Sequence, residues 1–460
     1  MIFINPGAAS KAASHKNQVI WGYIPAQLDR TNVNLTGQVR EMVSMKSRRS
    51  SSHPLGPLRQ SLCLFDWAKW NTLMLIVCLL VGWNYWAPLA ALHATGRRDL
   101  PWAVYGLERQ DFYNFYDAGR SFLMGTNPYI FDGKPTPFVY PPTSLLIFSM
   151  FAGFDFNFAS ELWTVAYFSL FAAALGALAL TLQGDRRNLF VTMAILLSLT
   201  SYPLFIHFEL GQSDLLVSSL AILSLVCERL KRRFASAAVL SVATLLKGPP
   251  ILLLVYFVVF RRDVRYFVEF LVSILVIVGA SLVVVPIGLY SYYAIHVTPV
   301  LSRAIGMEAN QSVVGALALG GMSKLTPLLS LVAVGVFALF AFYAGSGRSA
   351  GSLGKNTLRS EGMFLMSVLM MLLFGPRSTV YPYVWVILPL ALFLSSLLLE
   401  SVKMHYLMLV GCATFLVNSV LSPNFLDYRT LPLALIGNVV LTISLIPIYV
   451  RPATIIQKIR

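Results

Sequence analysis

The sequence predicts an all-α protein, a bundle of helices that crosses a membrane many times. Hydrophobic residues make up 57% of the 460 residues and charged residues only 12%, whereas soluble domains carry about 25% charged residues. The mean hydropathy is +0.70. Many apolar residues also form runs of the length that a helix needs to cross a bilayer. A bundle that faces lipid does not have to hide this apolar surface from water.

The first 70 residues lack a span of this kind. Residues 1–60 hold eight Lys and Arg against two acids, and no apolar run long enough for a cleavable signal peptide. We expect residues 1–70 to form a basic cytoplasmic tail with little order. The membrane domain would then cover residues 71–450, and residues 451–460 would form a short cytoplasmic tail.

Apolar runs predict twelve spans. The clear candidates are 71–93, 160–182, 189–206, 264–287, 325–345, 382–400, 405–421 and 430–450. The shorter ones are 212–228, 234–246, 250–260 and 362–374. A further apolar piece, 141–154, is too short for a span, since a transmembrane helix needs about 20 residues.

Basic loops orient these spans, because Lys and Arg are enriched in the cytoplasmic loops of membrane proteins. Such loops lie at 185–187, 228–233, 261–265 and 348–359. If 141–154 crossed the membrane, nearly all of them would face outward. If it is an interfacial helix on the outer face, all of them face the cytoplasm. We therefore expect both termini inside and a large outer loop, 94–159, that contains this helix.

The charge and the cysteines exclude several other classes of function. A net charge of +15 would suggest nucleic acid on a soluble protein, but here the basic residues fit cytoplasmic loops and anionic lipid head groups. We expect membrane lipid and no nucleic acid among the partners. Cys63, Cys78, Cys227 and Cys412 are scattered without a CxxC pair, so neither a disulfide framework nor a metal site is expected.

The same topology brings polar residues from several loops to the outer face. The outer loops are 94–159, 207–211, 247–249, 288–324, 375–381 and 422–429. Their candidate site residues are Asp111, Arg120, Tyr140, Glu209, Gln212 at the mouth of a span, Lys247, Asn310, Arg377 and Tyr381. Lys247 and Glu209 are functional candidates by default, because ionisable side chains at membrane depth are costly.

Each of these signals also has a structural interpretation. Asp111 could be a solvated loop acid, and Lys247 could extend from a helix end to the interface. Gly211-Gln212 could form a cap and turn, and Tyr140-Pro141-Pro142 could simply start a helix. Asn310-Gln311-Ser312 matches a glycosylation sequon, a pattern that arises often by chance. The presence of all these residues on one membrane face is stronger evidence for a functional site than any single residue.

A lipid-linked sugar donor would explain the set. Its phosphate lies at the membrane surface while its tail lies in the bilayer. Transfer needs a carboxylate to accept the proton of the acceptor hydroxyl and cations to stabilise the departing phosphate. It needs no nucleotide-binding domain, and the sequence shows neither G-x-x-x-x-G-K-[ST] nor a convincing G-x-G-x-x-G after a strand.

Ordered motifs carry a family resemblance over residues 105–390. They are Asp111-Phe112-x-x-Phe115-Tyr116-x-Ala118-Gly119, Leu123-x-Gly125-x-Asn127-Pro128-Tyr129, Phe138-x-Tyr140-Pro141-Pro142, Gly211-Gln212-Ser213-Asp214-Leu215-Leu216, Lys247-x-x-Pro250 and Asn310-Gln311-Ser312. In this order and spacing the chain resembles glycosyltransferase family 87, within the GT-C superfamily of polyprenyl-phosphate-sugar-dependent enzymes. Its members include mannosyltransferases and an arabinofuranosyltransferase.

The resemblance implies a GT-C-type bundle with periplasmic juxtamembrane helices. It implies inverting transfer on the outer leaflet of a bacterial inner membrane, without a metal or other cofactor. Asp111 would be the general base, and Lys247, with Arg377 as a second candidate, would contact the donor phosphate. Gln212, Asn310 and Tyr381 would hold sugar or phosphate oxygens.

One departure concerns the late motif. Where the family tends to read Ser-Pro-x-x-Trp-x-His, this chain has Gly375-Pro376-Arg377-Ser378-Thr379-Val380-Tyr381. The Trp and the His are missing, and Tyr381 stands at the histidine's position. The sugar, mannose or another hexose or pentose, and the acceptor, a glycolipid or a polysaccharide, therefore stay open. Two rival functions are a transporter or flippase of a polar or lipid-linked solute and a non-catalytic subunit of an envelope complex.

Overall fold

A computed structural model of the chain describes residues 109–130, 138–301, 310–346, 353–379, 381–400, 402–417 and 433–450. All of them belong to the unit Trp67–Arg460. The expected tails, the first expected span 71–93 and the expected outer loop 422–429 lie outside the described residues.

Within the described residues the chain is helical and contains no β-strand, which confirms the all-α expectation. The α-helices are α1 (Gln110–Leu123), α2 (Leu145–Ala152), α3 (Phe156–Leu180), α4 (Gly184–Leu199), α5 (Tyr202–Leu210), α6 (Asp214–Arg229), α7 (Arg233–Leu246), α8 (Val264–Ser281), α9 (Ile287–Tyr292), α10 (Thr298–Leu301), α11 (Val313–Leu317), α12 (Thr326–Ser346), α13 (Leu353–Phe374), α14 (Ile387–Leu397), α15 (Met404–Val417) and α16 (Leu433–Val450). Segments of 3₁₀ or π-helix cover Pro142–Ser144, Pro249–Leu253, Val255–Phe260, Tyr293–Val297, Ala318–Met322, Ser323–Leu325 and Tyr381–Val386.

Several of these helices have the length and composition of membrane spans. Among the described residues, the segments that qualify are α3, α8, Val313–Ser346 and Thr357–Phe374, and α4 and α5 together form a bent fifth candidate. Helices such as α7 and α15 are apolar but shorter. The protein therefore has membrane-spanning helices, while the count of twelve stays a prediction.

The expected single span 189–206 is two helices. The axes of α4 and α5 differ by 60°, because Pro203 has no N–H to donate to the preceding turn. The Ser201 side chain accepts a hydrogen bond from the Leu204 N–H at 3.1 Å and so starts a new helix. Helix α5 continues to Leu210, and Gly211 caps it. The stretch 207–211, which the sequence analysis treated as an outer loop, is therefore the end of a helix and its cap.

The apolar piece 141–154 forms a short helix. Its 3₁₀ turn Pro142–Ser144 leads directly into α2. Together they are about 16 Å long at 1.5 Å per residue, roughly half of the 30 Å hydrocarbon core of a bilayer. This length agrees with a helix that does not span the membrane. Its location at the outer interface stays a prediction.

Two close approaches fix α1 against its neighbours. A Cβ on Gly119 would lie 2.7 Å from the carbonyl of Phe148, so α1 packs closely on α2. A Cβ on Gly211 would lie 2.7 Å from the Cβ of Phe112, and the Gly211 φ of 67° is in the left-handed region that favours glycine. The first turn of α1 therefore lies directly against the turn between α5 and α6.

Arg109 fixes the start of α1. Its N–H donates to the carbonyl of Glu209 at 2.9 Å, and its guanidinium donates to the Thr164 hydroxyl at 2.6 Å. The guanidinium also lies 4.6 Å from the centroid of the Phe208 ring. Arg109 holds a φ of 62°, which is uncommon for a residue with a side chain. The contacts with α3 and α5 hold this conformation two residues before Asp111.

A buried cluster of polar side chains joins several helices at the C-terminal end of α6. The Glu361 side chain on α13 is 1% exposed and accepts hydrogen bonds from the guanidiniums of Arg186 and Arg229 on one oxygen. Its other oxygen accepts from the Ser396 hydroxyl. We call these four residues the Glu361 cluster. It lies about 22 Å from the start of α6, at 1.5 Å per residue.

Candidate active site

Gln212 joins two of the sequence-predicted residues at the turn between α5 and α6. Its side-chain amide donates a short hydrogen bond to Asp111. Its carbonyl oxygen accepts from the Tyr140 hydroxyl at 3.4 Å, and that hydroxyl also accepts from the Ser213 hydroxyl at 3.0 Å. Gln212 is buried. A hydrogen-bond chain therefore runs from the first turn of α1 to Tyr140.

An ion pair lies beside this chain. The Lys247 Nζ is 2.6 Å from the Oδ2 of Asp214, the first residue of α6. The indole of Trp385 donates to the Oδ1 of Asp214 at 2.9 Å. The Nζ of Lys247 is also 5.5 Å from the ring centroid of Tyr140 and 5.8 Å from that of Tyr381, within the range of cation–π attraction.

The local sequence explains why Lys247 reaches this point. Helix α7 ends at Leu246, and Lys247 has an extended backbone conformation, with φ −154° and ψ 113°. Gly248, Pro249 and Pro250 follow, and prolines inside a helix would remove backbone donors. The chain continues instead as the 3₁₀ segment Pro249–Leu253. The ammonium therefore leaves the helix end next to α6.

A cavity of about 330 Å³ opens beside the ion pair. Its lining residues are Val139, Tyr140, Pro141, Asp214, Lys247, Gly248, Pro249, Tyr293, Leu301, Met371, Leu372, Gly375, Pro376, Arg377, Ser378, Tyr381, Pro382 and Trp385. A mostly apolar wall with a few convergent polar groups is typical of sites for small organic ligands.

The chain after α13 forms one wall of the cavity and is held from behind. The Asn310 amide donates to the carbonyl of Pro376 at 2.9 Å, and the Gln311 N–H donates to the carbonyl of Ser378 at 2.6 Å. The Arg377 guanidinium donates to the carbonyl of Val300 at 3.3 Å. These bonds fix the loop that brings Arg377 and Ser378 to the cavity.

The electrostatics distinguish Asp111 from an ordinary surface acid. Burial raises the pKa of its carboxyl from 3.8 to about 6. The hydrogen bond from Gln212 and the charge of Lys247 oppose this rise, and the charge of Asp214 adds to it. At neutral pH the group is mostly ionised yet basic enough to accept a proton. Burial also raises the pKa of Tyr140 well above its ordinary value, so this hydroxyl stays neutral.

A profile of glycosyltransferase family 87 matches residues 138–376, just over half of the chain. The chain belongs to glycosyltransferase family 87. Membership confirms the resemblance and makes the protein a membrane glycosyltransferase with a sugar donor and an acceptor as substrates. No curated protein matches the chain significantly. The matched segment contains Tyr140, Gln212 and Lys247, whereas Asp111 and Tyr381 lie outside it.

The structure brings most of the sequence-predicted residues of this family 87 enzyme together. Tyr140, Lys247, Arg377 and Tyr381 line the cavity. Asp111 does not line it and is connected to Tyr140 through Gln212. Their contacts with substrate stay predictions.

Besides Asp111 and Gln212, three further predicted residues do not line the cavity. Asn310 is buried behind it and bonds to the backbone of Pro376. Glu209 is half-buried at the end of α5, where its carbonyl holds Arg109. Arg120 is exposed in the last turn of α1. The binding roles predicted for them are not tested by this placement.

Sequence reasoning assigned no role to Asp214 and Trp385, which form a hydrogen bond at the cavity wall of this family 87 enzyme. Asp214 belongs to a motif that carried the resemblance, and its signal was an acid inside the expected span 212–228, where a charge is costly. Trp385 gave no such signal, because it lies within the apolar run 382–400. Among the described residues no group of three or more His, Cys, Asp or Glu side chains is placed to hold a metal ion.

Proposed function

We propose that this family 87 enzyme transfers a sugar from a polyprenyl-phosphate donor to a glycolipid or polysaccharide acceptor, with inversion, on the periplasmic face of a bacterial inner membrane. The sugar would be mannose or another hexose or pentose. The observation that carries the proposal is a carboxylate of raised basicity, Asp111, that is connected through Gln212 to Tyr140 at the wall of the cavity that the cation Lys247 also lines.

In the proposed reaction, Asp111 accepts the proton of the acceptor hydroxyl as that oxygen forms a bond to the anomeric carbon. The bond between the anomeric carbon and the phosphate oxygen breaks, and its electron pair leaves on polyprenyl phosphate. Lys247 and Arg377 stabilise the negative charge of this leaving group. Attack from the face opposite the leaving group inverts the configuration. In this proposal Gln212 and Tyr381 hold sugar or phosphate oxygens, and Asn310 acts by holding the loop of Arg377.

The contacts of the two carboxylates support Asp111 as the base. Both oxygens of Asp214 accept hydrogen bonds, one from the Lys247 ammonium and one from the Trp385 indole. An ion pair makes a carboxylate a poor proton acceptor. Asp111 bonds instead to the neutral amide of Gln212, and its pKa of about 6 suits a base at neutral pH.

The orientation of the site follows from the basic residues. Arg186 and Arg229 of the Glu361 cluster lie at the end of α6 away from the cavity, and Arg261 pairs with Glu228 beside them. Basic loops favour the cytoplasm. The end of α6 that carries Asp214 and the cavity is then the periplasmic end.

The cavity wall supports a lipid-linked donor. Leu301, Met371 and Leu372 contribute apolar surface beside the charged groups Lys247 and Arg377. An isoprenoid next to its phosphate has the same combination of apolar and anionic character. A donor held in the bilayer by its tail would reach such a site from the membrane surface.

A transfer assay tests this function against its rivals. The purified enzyme in liposomes receives radiolabelled polyprenyl-phosphate sugar and envelope lipids, and the expected result is a covalent glycoside with inverted anomeric configuration. Label that enters the vesicles without a covalent product would indicate transport. Donor binding with neither product nor uptake would indicate a non-catalytic subunit.

Lys247→Ala sharpens the same assay. Loss of the ammonium should raise the donor KM or lower kcat strongly, because the leaving phosphate loses its nearest cation. Arg187→Ala is a matched control, since the Arg187 guanidinium bonds to backbone carbonyls of Ala179 and Leu182 instead of the cavity. A Lys247 variant with unchanged donor dependence would remove this residue from the phosphate site.

A further inference from the structure

Asp214 is a carboxylate that lines the cavity, and nothing in the proposed chemistry so far uses it. We propose that Asp214 is a positioning residue, which holds the Lys247 ammonium at the cavity wall and thereby fixes the charges around Asp111. The proposal rests on the proposed function, because it assigns Asp214 a role in the same transfer reaction.

The geometry around Asp214 is that of a rigid support. Its side chain is 1% exposed, and Trp385 holds its Oδ1 while Lys247 takes its Oδ2. It lies in the first turn of α6, where the helix dipole favours a negative charge. The Nε2 of His207 accepts the N–H of Leu215 at 2.9 Å and caps the same turn. Two side chains thus hold the Asp214 carboxylate, and His207 fixes the helix turn that carries it.

Lys247, by contrast, needs such a support. Its ammonium ends a flexible four-carbon stem, and its side chain is 22% exposed towards the cavity that it lines. Within the described residues, Asp214 is the carboxylate that pairs with it. Without this anion the ammonium would sample other positions. A misplacement of about 1 Å in a catalytic site can cost 10²-fold in rate.

The pair also acts on Asp111 through its charges. Asp214 raises the pKa of Asp111 and Lys247 lowers it. Other titratable or charged groups on the elements around the three residues include Arg109, Tyr140, His207, Glu209, Tyr293, Arg377 and Tyr381. The two members of one ion pair therefore shift the pKa of Asp111 in opposite directions.

The experiment measures kcat/KM against pH for the full-length enzyme in liposomes. The wild type should lose activity as pH falls through about 6, since the base form of Asp111 disappears below its pKa. Asp214→Asn should lower kcat by about 10- to 100-fold and shift this acid limb to lower pH, because a negative neighbour is lost. Lys247→Met should shift the acid limb to higher pH, because a positive neighbour is lost.

Two further variants separate charge, geometry and folding. Asp214→Glu keeps the charge, so it should keep the acid limb of the wild type while kcat falls. If Asp214→Asn does not fold, Asp214→Glu still tests the proposal through this split. Glu361→Gln breaks a buried ion pair in the Glu361 cluster and should leave the acid limb unchanged.

The proposal is overturned if folded Asp214→Asn keeps both the kcat and the acid limb of the wild type. It is also overturned if Asp214→Glu shifts the acid limb, or if Glu361→Gln shifts it as Asp214→Asn does. A wild type that forms no glycoside, or a folded Asp111→Asn that transfers at the wild-type rate, contradicts the proposed function instead. The two failures are therefore distinguishable.

Discussion

Asp214 and Glu361 are two buried carboxylates, each 1% exposed, near opposite ends of α6. Asp214 has one ammonium and one indole as partners, and it lines a cavity. Glu361 has two guanidiniums and one hydroxyl, and it joins α13 to α4, α6 and α14. Burial of a charge is thus common to both sites, while of these two carboxylates only Asp214 lines the cavity beside Lys247.

The two sites differ in the hydrogen-bond donors that their cations keep available for a ligand. An Arg guanidinium binds a carboxylate through a planar fork, whereas a Lys ammonium is a compact charge with three donors that can turn. The Lys247 ammonium can keep Asp214 and still turn a donor to a phosphate in the cavity. In the Glu361 cluster both guanidiniums converge on one carboxylate oxygen. We infer that the cavity end serves chemistry and the Glu361 cluster serves packing.

The largest effect that this comparison predicts is at the cavity end. Asp111→Asn should lower kcat about 10²- to 10⁴-fold, the usual contribution of a general base, because an amide cannot accept the proton. Donor binding and thermal stability in detergent should change little. The measurements are transfer of labelled sugar and a thermal unfolding curve on the same preparation.

Near wild-type turnover of a folded Asp111→Asn would contradict the base assignment. Asp117→Asn is the matched control, because Asp117 lies on the same helix six residues later and is not a member of the hydrogen-bond chain from Asp111 through Gln212 to Tyr140. Loss of transfer in both variants would point to a general effect on α1 instead.

Glu361→Gln should lower stability and leave the transfer activity nearly unchanged, the opposite of the result expected for Asp111→Asn. Removing one partner of a fully buried ion pair costs about 3–5 kcal/mol, and the cost here should be smaller, since the side chains of Arg186 and Arg229 are 22% and 20% exposed. Arg186 and Arg229 would lose their anion, so unfolding in detergent should begin at a lower denaturant concentration. The activity per folded molecule should stay near that of the wild type. A variant of unchanged stability with reduced kcat would break the division between the two ends.

The sequence predicted much of the fold because apolar runs report helices directly. The run 160–182 corresponds to α3, Phe156–Leu180, and 264–287 contains α8, Val264–Ser281. The bend after α4 was missed, since Pro203 lies inside an apolar run and gave no break in hydropathy. Parity of basic loops gave the orientation, which stays a prediction.

The site was predictable to the extent that its residues carry charges in apolar surroundings. Lys247 and Gln212 stood out next to helix breaks, and the structure places them together with Tyr140. The bond from Trp385 to Asp214 joins residues 171 positions apart. No local pattern reports such a pair, because it exists only after α6 and the segment before α14 have packed.

Two glycines, Gly211 and Gly184, allow backbone strain to be introduced separately near the two ends of α6. Both have a positive φ, 67° at Gly211 beside Gln212 and 54° at Gly184, two residues before Arg186 of the Glu361 cluster. An alanine at either position costs about 1–2 kcal/mol for the left-handed conformation. In addition, Gly211→Ala would press a methyl group against Phe112, whereas nothing lies within 4 Å of the Cβ position at Gly184.

We therefore expect Gly211→Ala to displace the first turn of α1 and to lower kcat about 10²-fold, the typical cost of a 1 Å misplacement. Gly184→Ala should lose similar backbone stability with little change in kcat. Equal losses of kcat in the two variants would show that strain alone, and not the contact with Phe112, explains the effect. Transfer rate and thermal unfolding of both variants provide the comparison.

The smallest effect is expected at Arg120, which the sequence placed among the substrate-binding residues. In the structure it is exposed in the last turn of α1, where a cation complements the helix dipole. An exposed side chain with this role contributes within about 0.5 kcal/mol to stability. Arg120→Ala should therefore change kcat/KM less than about twofold.

The Arg120 variant also tests how far the donor-binding site extends beyond the cavity. Arg377→Ala is its matched partner, because it removes the same charge from a residue that lines the cavity. A donor KM that rises for Arg377→Ala and not for Arg120→Ala places the phosphate at the cavity wall. A tenfold rise for Arg120→Ala would instead extend the donor site along α1, since a cation that lies outside the cavity would then contact substrate.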